Sequence, residues 1–516
     1  MQDGADCLIE AGAILTGVDG AGSFVTLSDA AIRVAGGNIA EIGSAATLRR
    51  QFPALPRHGG AGMIAMPGLV NGHHHSGITP LMHGVPFAPL EFWLPRFRAQ
   101  RRVPLRLDTL YSAIEMLESG TTTVHHIQGG VSGPPDNWQT SADSVLSAYG
   151  EIGMRAGFSF MIRDRNRLTY EDDGVLLAAL PADAAEWLGA QLAAEAVPVP
   201  ELMGFYAELR TRWGGSDHVR LNLAPANLHW CSDEALGLIF ETARHAGAQV
   251  HMHLLETERQ ARFALERTGR TAVAHLHHLG CLGPNVTFGH GNWLTRDDMD
   301  LLAECHCTIC HNASSGLRLG SGIAPVNQML ERGLRVALGI DQSGINDDRD
   351  MLAEIKLVWA LHRETGLWNE RASATQVLRM ATEHGGMTAG FGDRIGRLEI
   401  GRAADVVLLD RATVERPAID PRTPLVDTVL MRAKSGAVRD VFVGGRQVVA
   451  NGRVTGIDRD AVLAEVADEM RRPLTSAEAL AAAMIDRIVP LAMEQQRSLH
   501  LDTARPYRYN SMADQT

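Results

Sequence analysis

The sequence predicts an α/β protein built on parallel strands, in the form of a (β/α)8 barrel, with a smaller sheet domain assembled from both ends of the chain. Three observations carry that expectation. Between about residues 67 and 394, apolar strand-like runs (VRLNLAP, AQVHMHLL, NVTFGH, RVALGID) alternate with segments of helical periodicity such as SDEALGLIFETARHAG. Such alternation marks parallel strands joined by helical crossovers. Residues 6 to about 66 and 395 to 454 differ in texture: short apolar runs (AIRVAGGNIAEIG, VRDVFVGGRQVVANGRV) are separated by Gly and Asp turns, which reads as β-hairpins. Finally, the histidines and acids of the middle segment close strand-like runs, and a barrel draws its catalytic residues from the C-terminal ends of several strands.

The elements fall in order. Residues 1–66 supply the first part of the terminal sheet domain, 67–394 the barrel, 395–455 the second part of the sheet, and 456–516 an Ala-rich helical tail. A long excursion at 163–216 (RDRNRLTYEDDG onward) interrupts the barrel elements and is expected to form a helical lid. The net charge of -12 with no basic cluster argues against nucleic acid, which needs a concentrated positive face, and favours a small neutral or cationic substrate. The start MQDGADCLIE lacks a basic region before its apolar stretch, and no run is long enough to span a membrane, so the cytoplasm is the expected compartment. In that compartment the six cysteines are expected as reduced, buried thiols.

Five stretches carry the chemistry: PGLVNGHHHS (67–76), VHMHLLE (250–256), NVTFGH (285–290), CHNASSGLRLGSG (310–322) and ALGIDQSG (337–344). His73 and His75 lie two apart after a strand-like run, so both can face the barrel mouth while His74 faces the wall. His253 with Glu256 forms H-x-x-E at a strand end, one ligand and one proton shuttle; His251, two residues earlier, would sit deeper as a hydrogen-bonded core histidine. His290 ends its run and precedes Gly291; a lone strand-end histidine is as often structural as catalytic. Asp341 would be a buried acid, which needs a partner or a metal. Neutral imidazoles and one carboxylate are what zinc or iron(II) takes with one position left open for water, which points to metal-assisted hydrolysis.

A competing signature is present. Cys307, Cys310 and His311 spell C-x-x-C-H, the attachment pattern for c-type haem, with Cys305 and His306 just before it. Haem attachment needs export to an oxidising compartment, which nothing in the sequence supports, and a Cys-based structural zinc is disfavoured because strand alternation would splay Cys307 and Cys310 onto opposite faces, so packed thiols are the expected outcome.

Together, PGLVNxHxH, HxHxxE, the strand-end His, HNxxSxLxLGSGIAP and LGxD, with ESGTTTV, LRMATEHGG and IGRLEIGRAADVVLLD, resemble the amidohydrolase superfamily in its cytosine-deaminase-like and triazine-hydrolase-like branch. The resemblance covers most of the chain and implies a (β/α)8 barrel flanked by a β-sandwich from both termini. It implies His73, His75, His253 and Asp341 as metal ligands, with Glu256, His290 and Asp341 acting on the water and its protons. It also implies a homodimer or larger homo-oligomer. Some superfamily members bridge two metals with a carboxylated lysine; here Lys356 and Lys434 are the only lysines and neither lies at that position, so one ion per chain is expected, zinc ahead of iron(II). Where many relatives place a substrate-binding His, this chain has Ala226; Asn227 and His229 are the nearest polar candidates. The relatives' HNPxSN is HNASSG here, keeping His311 and Asn312, and Trp93 and Trp230 are candidates for walling a planar pocket. The expected activity is hydrolysis of a non-peptide carbon–nitrogen bond in an aminated heterocycle, cyclic amidine or urea. The alternatives are hydrolytic dechlorination of a triazine-type ring and a metal-binding scaffold without catalysis.

Overall fold

The computed structural model describes residues 4, 6–168, 170–364 and 371–496; the expected tail beyond 496 lies outside the described residues. Strands β1 (Cys7–Val18), β2 (Phe24–Ala35) and β3 (Asn38–Ser44) form an antiparallel meander, and β4 (Arg57–Pro67) returns parallel to β1. The chain then enters the barrel. Strands β5 (Leu69–His74), β6 (Thr121–Gln128), β7 (Arg155–Ile162) and β8 (Val219–Leu221) are consecutive parallel neighbours, and a short β9 (Ala224–Pro225) continues the line of β8 and pairs with β7. Strands β10 (Val250–Leu254), β11 (Val286–His290), β12 (Thr308–His311) and β13 (Arg335–Leu338) make a second parallel run. Parallel bridges Leu223–Val250 and His74–Asp341 join the runs at both seams, giving a TIM-type α/β barrel.

Local sequence explains the crossovers. The helix Asp233–Ala246 begins at Ser232, whose hydroxyl accepts the Ala235 N–H, carries Asp233 and Glu234 in its first turn and Arg244 and His245 in its last, and stops at the left-handed Gly247. Its Leu236, Ile239, Phe240 and Ala243 are buried at helical spacing. Strand alternation does the rest: in β10, Val250, Met252 and Leu254 join the main hydrophobic core, which leaves His251 and His253 for the opposite, inward face.

Strands β14 (Val406–Asp410), β15 (Val438–Val443), β16 (Arg446–Ala450) and β17 (Arg453–Val454) extend from β4, so one eight-stranded mixed sheet is drawn from both chain ends, as the turn-rich texture predicts. Ile9, Ile32, Val34, Val406, Leu408 and Phe442 share its core. A buried ion pair welds it to the barrel: Arg155, at the start of β7, donates to Asp405 at 3.0 and 2.9 Å, and both side chains are 2% exposed. The excursion after β7 is helical at Asp173–Ala179, Ala182–Ala194 and Val199–Trp213. Of the tail, the helices Arg459–Arg471 and Ser476–Gln496 are described, and Ile488 and Ala492 pack against Leu176, Leu188 and Leu192 of the excursion.

Candidate metal centre

Five strand ends converge at the C-terminal mouth of the barrel. A bulge prepares the first. Between Asn71 and His74 two residues of β5, Gly72 and His73, oppose one of β6, His125, since Asn71 faces Val124 and His74 faces His126. The extra residue turns His73 and His75 inward, while His74 packs beside the His126 ring. Two glycines admit His73: a Cβ on Gly289 would lie 2.9 Å from His73 Cε1, and one on Gly339 would lie 2.6 Å from His73 Cβ. Across the seam, the Asp341 N–H donates to the His73 carbonyl at 2.8 Å. The backbone is strained around the site, with Leu255, His290 and Asp341 at φ 49°, 74° and 64°.

Each imidazole is held from behind. His75 Nδ1 is 2.8 Å from the Ile127 carbonyl, His253 Nδ1 is 2.9 Å from the Ala226 carbonyl, and His73 Nδ1 is 2.7 Å from His251 Nε2. Carbonyls only accept, so the Nδ1 atoms of His75 and His253 carry the protons and their Nε2 atoms are bare lone pairs. Those lone pairs point at one another: His75 Nε2 is 3.1 Å from His253 Nε2 and 3.1 Å from His73 Nε2. Protonation does not relieve this, because burial, then the neighbouring imidazoles, hold His73 and His253 well below the usual histidine range. Converging neutral lone pairs are stable around a cation. Asp341 completes the set, with Oδ1 3.4 Å from His75 Nε2 and 3.7 Å from His73 Nε2, and Oδ2 accepting the Ser315 hydroxyl at 2.7 Å. The described residues thus offer two overlapping groups, His73 with His75 and His253, and His73 with His290 and Asp341, whose ligand atoms lie within 4.8 Å of one another, and such a set of imidazoles and a carboxylate fits a divalent ion.

Beside this cage, the Glu256 carboxyl is 4% exposed and lies 3.7 Å from His290 Nε2. Burial, then the charges of Asp341 and Glu91, push it well above the usual carboxylate range. Burial also lowers His290, to about 4. Asn312 Nδ2 approaches His290 Nδ1 at 3.4 Å, so its place is behind His290, orienting the ring.

A model of the amidohydrolase family matches residues 64–448. The chain belongs to the amidohydrolase family. A 5-methylthioadenosine/S-adenosylhomocysteine deaminase of Syntrophobacter fumaroxidans is 29% identical over 467 residues, covering 90% of this chain and 97% of the relative. The crystal structure of an adenosine deaminase from Xanthomonas campestris with bound zinc matches with a TM-score of 0.72 at 25% identity, covering 95% of this chain and 99% of that one. An atrazine chlorohydrolase from Arthrobacter aurescens, complexed with zinc, has a TM-score of 0.76 at 23% identity over 90% of this chain and all (100%) of that one, a likeness of fold. This amidohydrolase is thus a metal-dependent hydrolase of carbon–nitrogen bonds other than peptide bonds.

Within the family frame, the structure places the remaining candidates unevenly. Asn227 uses its Oδ1 to accept the Leu228 N–H at 2.7 Å, leaving a buried Nδ2 without a partner among the described residues. His229 is buried between the rings of Tyr170 and Trp230, at 4.4 and 4.2 Å, and Trp230 lies under the Arg163 guanidinium at 5.0 Å. His311 Nε2 is 3.1 Å from His362 Nε2, and the neighbouring Cys310 lies beside Asn312. Trp93 is core: it packs on Phe97 at 4.4 Å in a small cluster with Val85, Leu90 and Leu319. The cysteines are all free, with Cys305 alone partly exposed. Sequence reasoning missed Glu91, Tyr170 and Ser315; only Ser315 carried a signal, standing inside the HNASS stretch.

No helix among the described residues is long and apolar enough to cross a membrane.

Proposed function

We propose that His73, His75, His253 and Asp341 hold one divalent ion, zinc, and that this amidohydrolase removes ammonia from an aminated heterocycle, with 6-aminopurine nucleosides the substrate class to test first. The observation that carries this reading is the convergence of three imidazole Nε2 atoms with the buried carboxyl of Glu256, 3.7 Å from His290 Nε2, at its edge. A bound ion would supply an activated water as the nucleophile. Glu256, whose burial favours the protonated form, can give a proton to a ring nitrogen as the sp2 carbon is attacked, and then relay the water's proton to the departing amine. His290, held by Asn312, offers its Nε2 toward the same place and stabilises the oxygen that becomes the product carbonyl. The names of the deaminase relatives support the nitrogen leaving group and the purine class.

We also propose the domain division set by the barrel at 67–394, with the helices of 163–216 as a lid over its mouth and the terminal sheet folded on itself as a β-sandwich. The bridge from Asn38 at the β3 edge to Ala403 ahead of β14 supports that closure. The test is ammonia release from adenosine, 5'-deoxyadenosine and 5'-methylthioadenosine beside chloride release from chlorotriazines. Ammonia from none of the nucleosides, with chloride from a triazine, would overturn the deaminase reading.

A further inference from the structure

Glu256 sits in a turn whose hydrogen bonds depart from those its sequence predicts. Thr257 is the N-cap of the helix Glu258–Thr268, where a threonine hydroxyl ordinarily accepts an N–H of the first turn. It makes no such bond. Its Oγ1 donates instead to Glu91 Oε1 at 2.8 Å and lies 3.1 Å from the Tyr170 hydroxyl, which donates to the same Glu91 oxygen at 2.8 Å. Gln260, which in a capping box would reach the N-cap, accepts the Glu256 N–H at 2.8 Å, and Asn292 donates to the Glu256 carbonyl at 2.9 Å. The turn is thus clamped from both sides. One partner of Thr257, Glu91, comes from the short helix Leu90–Trp93 that follows β5; the other, Tyr170, is buried and comes from the 163–216 excursion.

Resting on the proton-relay role of Glu256 proposed above, we infer that Tyr170 is a positioning residue: through Glu91 and Thr257 its hydroxyl sets the aim of the Glu256 carboxyl, coupling the seating of the 163–216 excursion to proton transfer. Without that hydroxyl, Glu91 keeps only the Thr257 donor on that oxygen and is no longer fixed from the excursion side, so Glu91 and Thr257 can shift together and carry the turn, with Glu256, off its line to His290. A displacement of about 1 Å at a reacting group costs on the order of 10²-fold in rate.

Tyr170→Phe keeps the ring that packs on His229 and removes only the hydroxyl. It should lower kcat for nucleoside deamination by about 10- to 100-fold, with KM and bound metal unchanged. In a Glu256→Gln background the same substitution should cost nothing further, since an amide relays no proton however it is aimed. Thr257→Val, which leaves the tyrosine in place, should repeat both results. Tyr170→Phe at the wild-type kcat while Glu256→Gln is inactive overturns the inference alone. So does a rise in KM with kcat intact, or additive losses in the double variant, either of which assigns Tyr170 a contact of its own. A fully active Glu256→Gln overturns the relay reading and the inference together.

Discussion

Glu256 and its neighbours decide the chemistry at the residue scale. A nitrogen leaving group must be protonated to depart, whereas chloride leaves as an anion, so the two reactions weigh this carboxyl differently. Glu256→Gln should keep the metal, because no cage atom is removed, and should lower ammonia release by about 10²- to 10⁴-fold. Ammonia release near the wild-type rate with metal intact would move the proton role to His290. The convergence of His73, His75 and His253 was legible in the sequence. HxH after a strand, HxHxxE and a strand-end Asp each placed a donor, and alternation said which side chains shared a face. Glu91 and Tyr170 were illegible, because their approach to Thr257 depends on two segments meeting in space, and no local pattern records that.

Among the elements, the strand ends hold the donors only because the backbone comes close. Gly289 is the sharpest case: β11 passes so near His73 that a methyl group there would meet the imidazole at 2.9 Å. Gly289→Ala should therefore displace His73 and weaken metal binding by about 10- to 100-fold, read by competition with a chelator, while the barrel still folds. Unchanged affinity would show that His73 has room to move. The glycine in NVTFGH was visible in the sequence, but its reason was not, since the clash comes from a residue some two hundred positions earlier in the chain. The β5 bulge is similar. The spacing of His73 and His75 correctly suggested one face, yet the slip that turns His73 inward appears only in the pairing with β6.

Over the whole molecule, two long-range junctions matter. Arg155 and Asp405 join the barrel to the sheet drawn from both termini, each fully enclosed. Removing one partner strands the other charge in a medium that solvates it poorly. Arg155→Met should lower unfolding stability by about 3–5 kcal/mol, measured by urea titration; a loss below about 1 kcal/mol would show that water reaches Asp405. Neither residue drew attention in the sequence, because an Arg at the start of a strand and an Asp before another are ordinary until the topology makes them meet. The second junction is the seam between β5 and β13, where Asp341 bonds to His73 and the ring closes on the cage. That seam makes metal binding a property of the closed barrel, and the central claim can be tested on it directly. Metal content per chain should be measured in purified wild-type and His253→Ala protein alongside deamination of 5'-methylthioadenosine and its congeners. The account predicts one equivalent of zinc in the active wild type, with both metal and activity lost in the variant and zinc restoring wild-type activity after chelation. Full activity in metal-free protein, or two equivalents in the active enzyme, would contradict it.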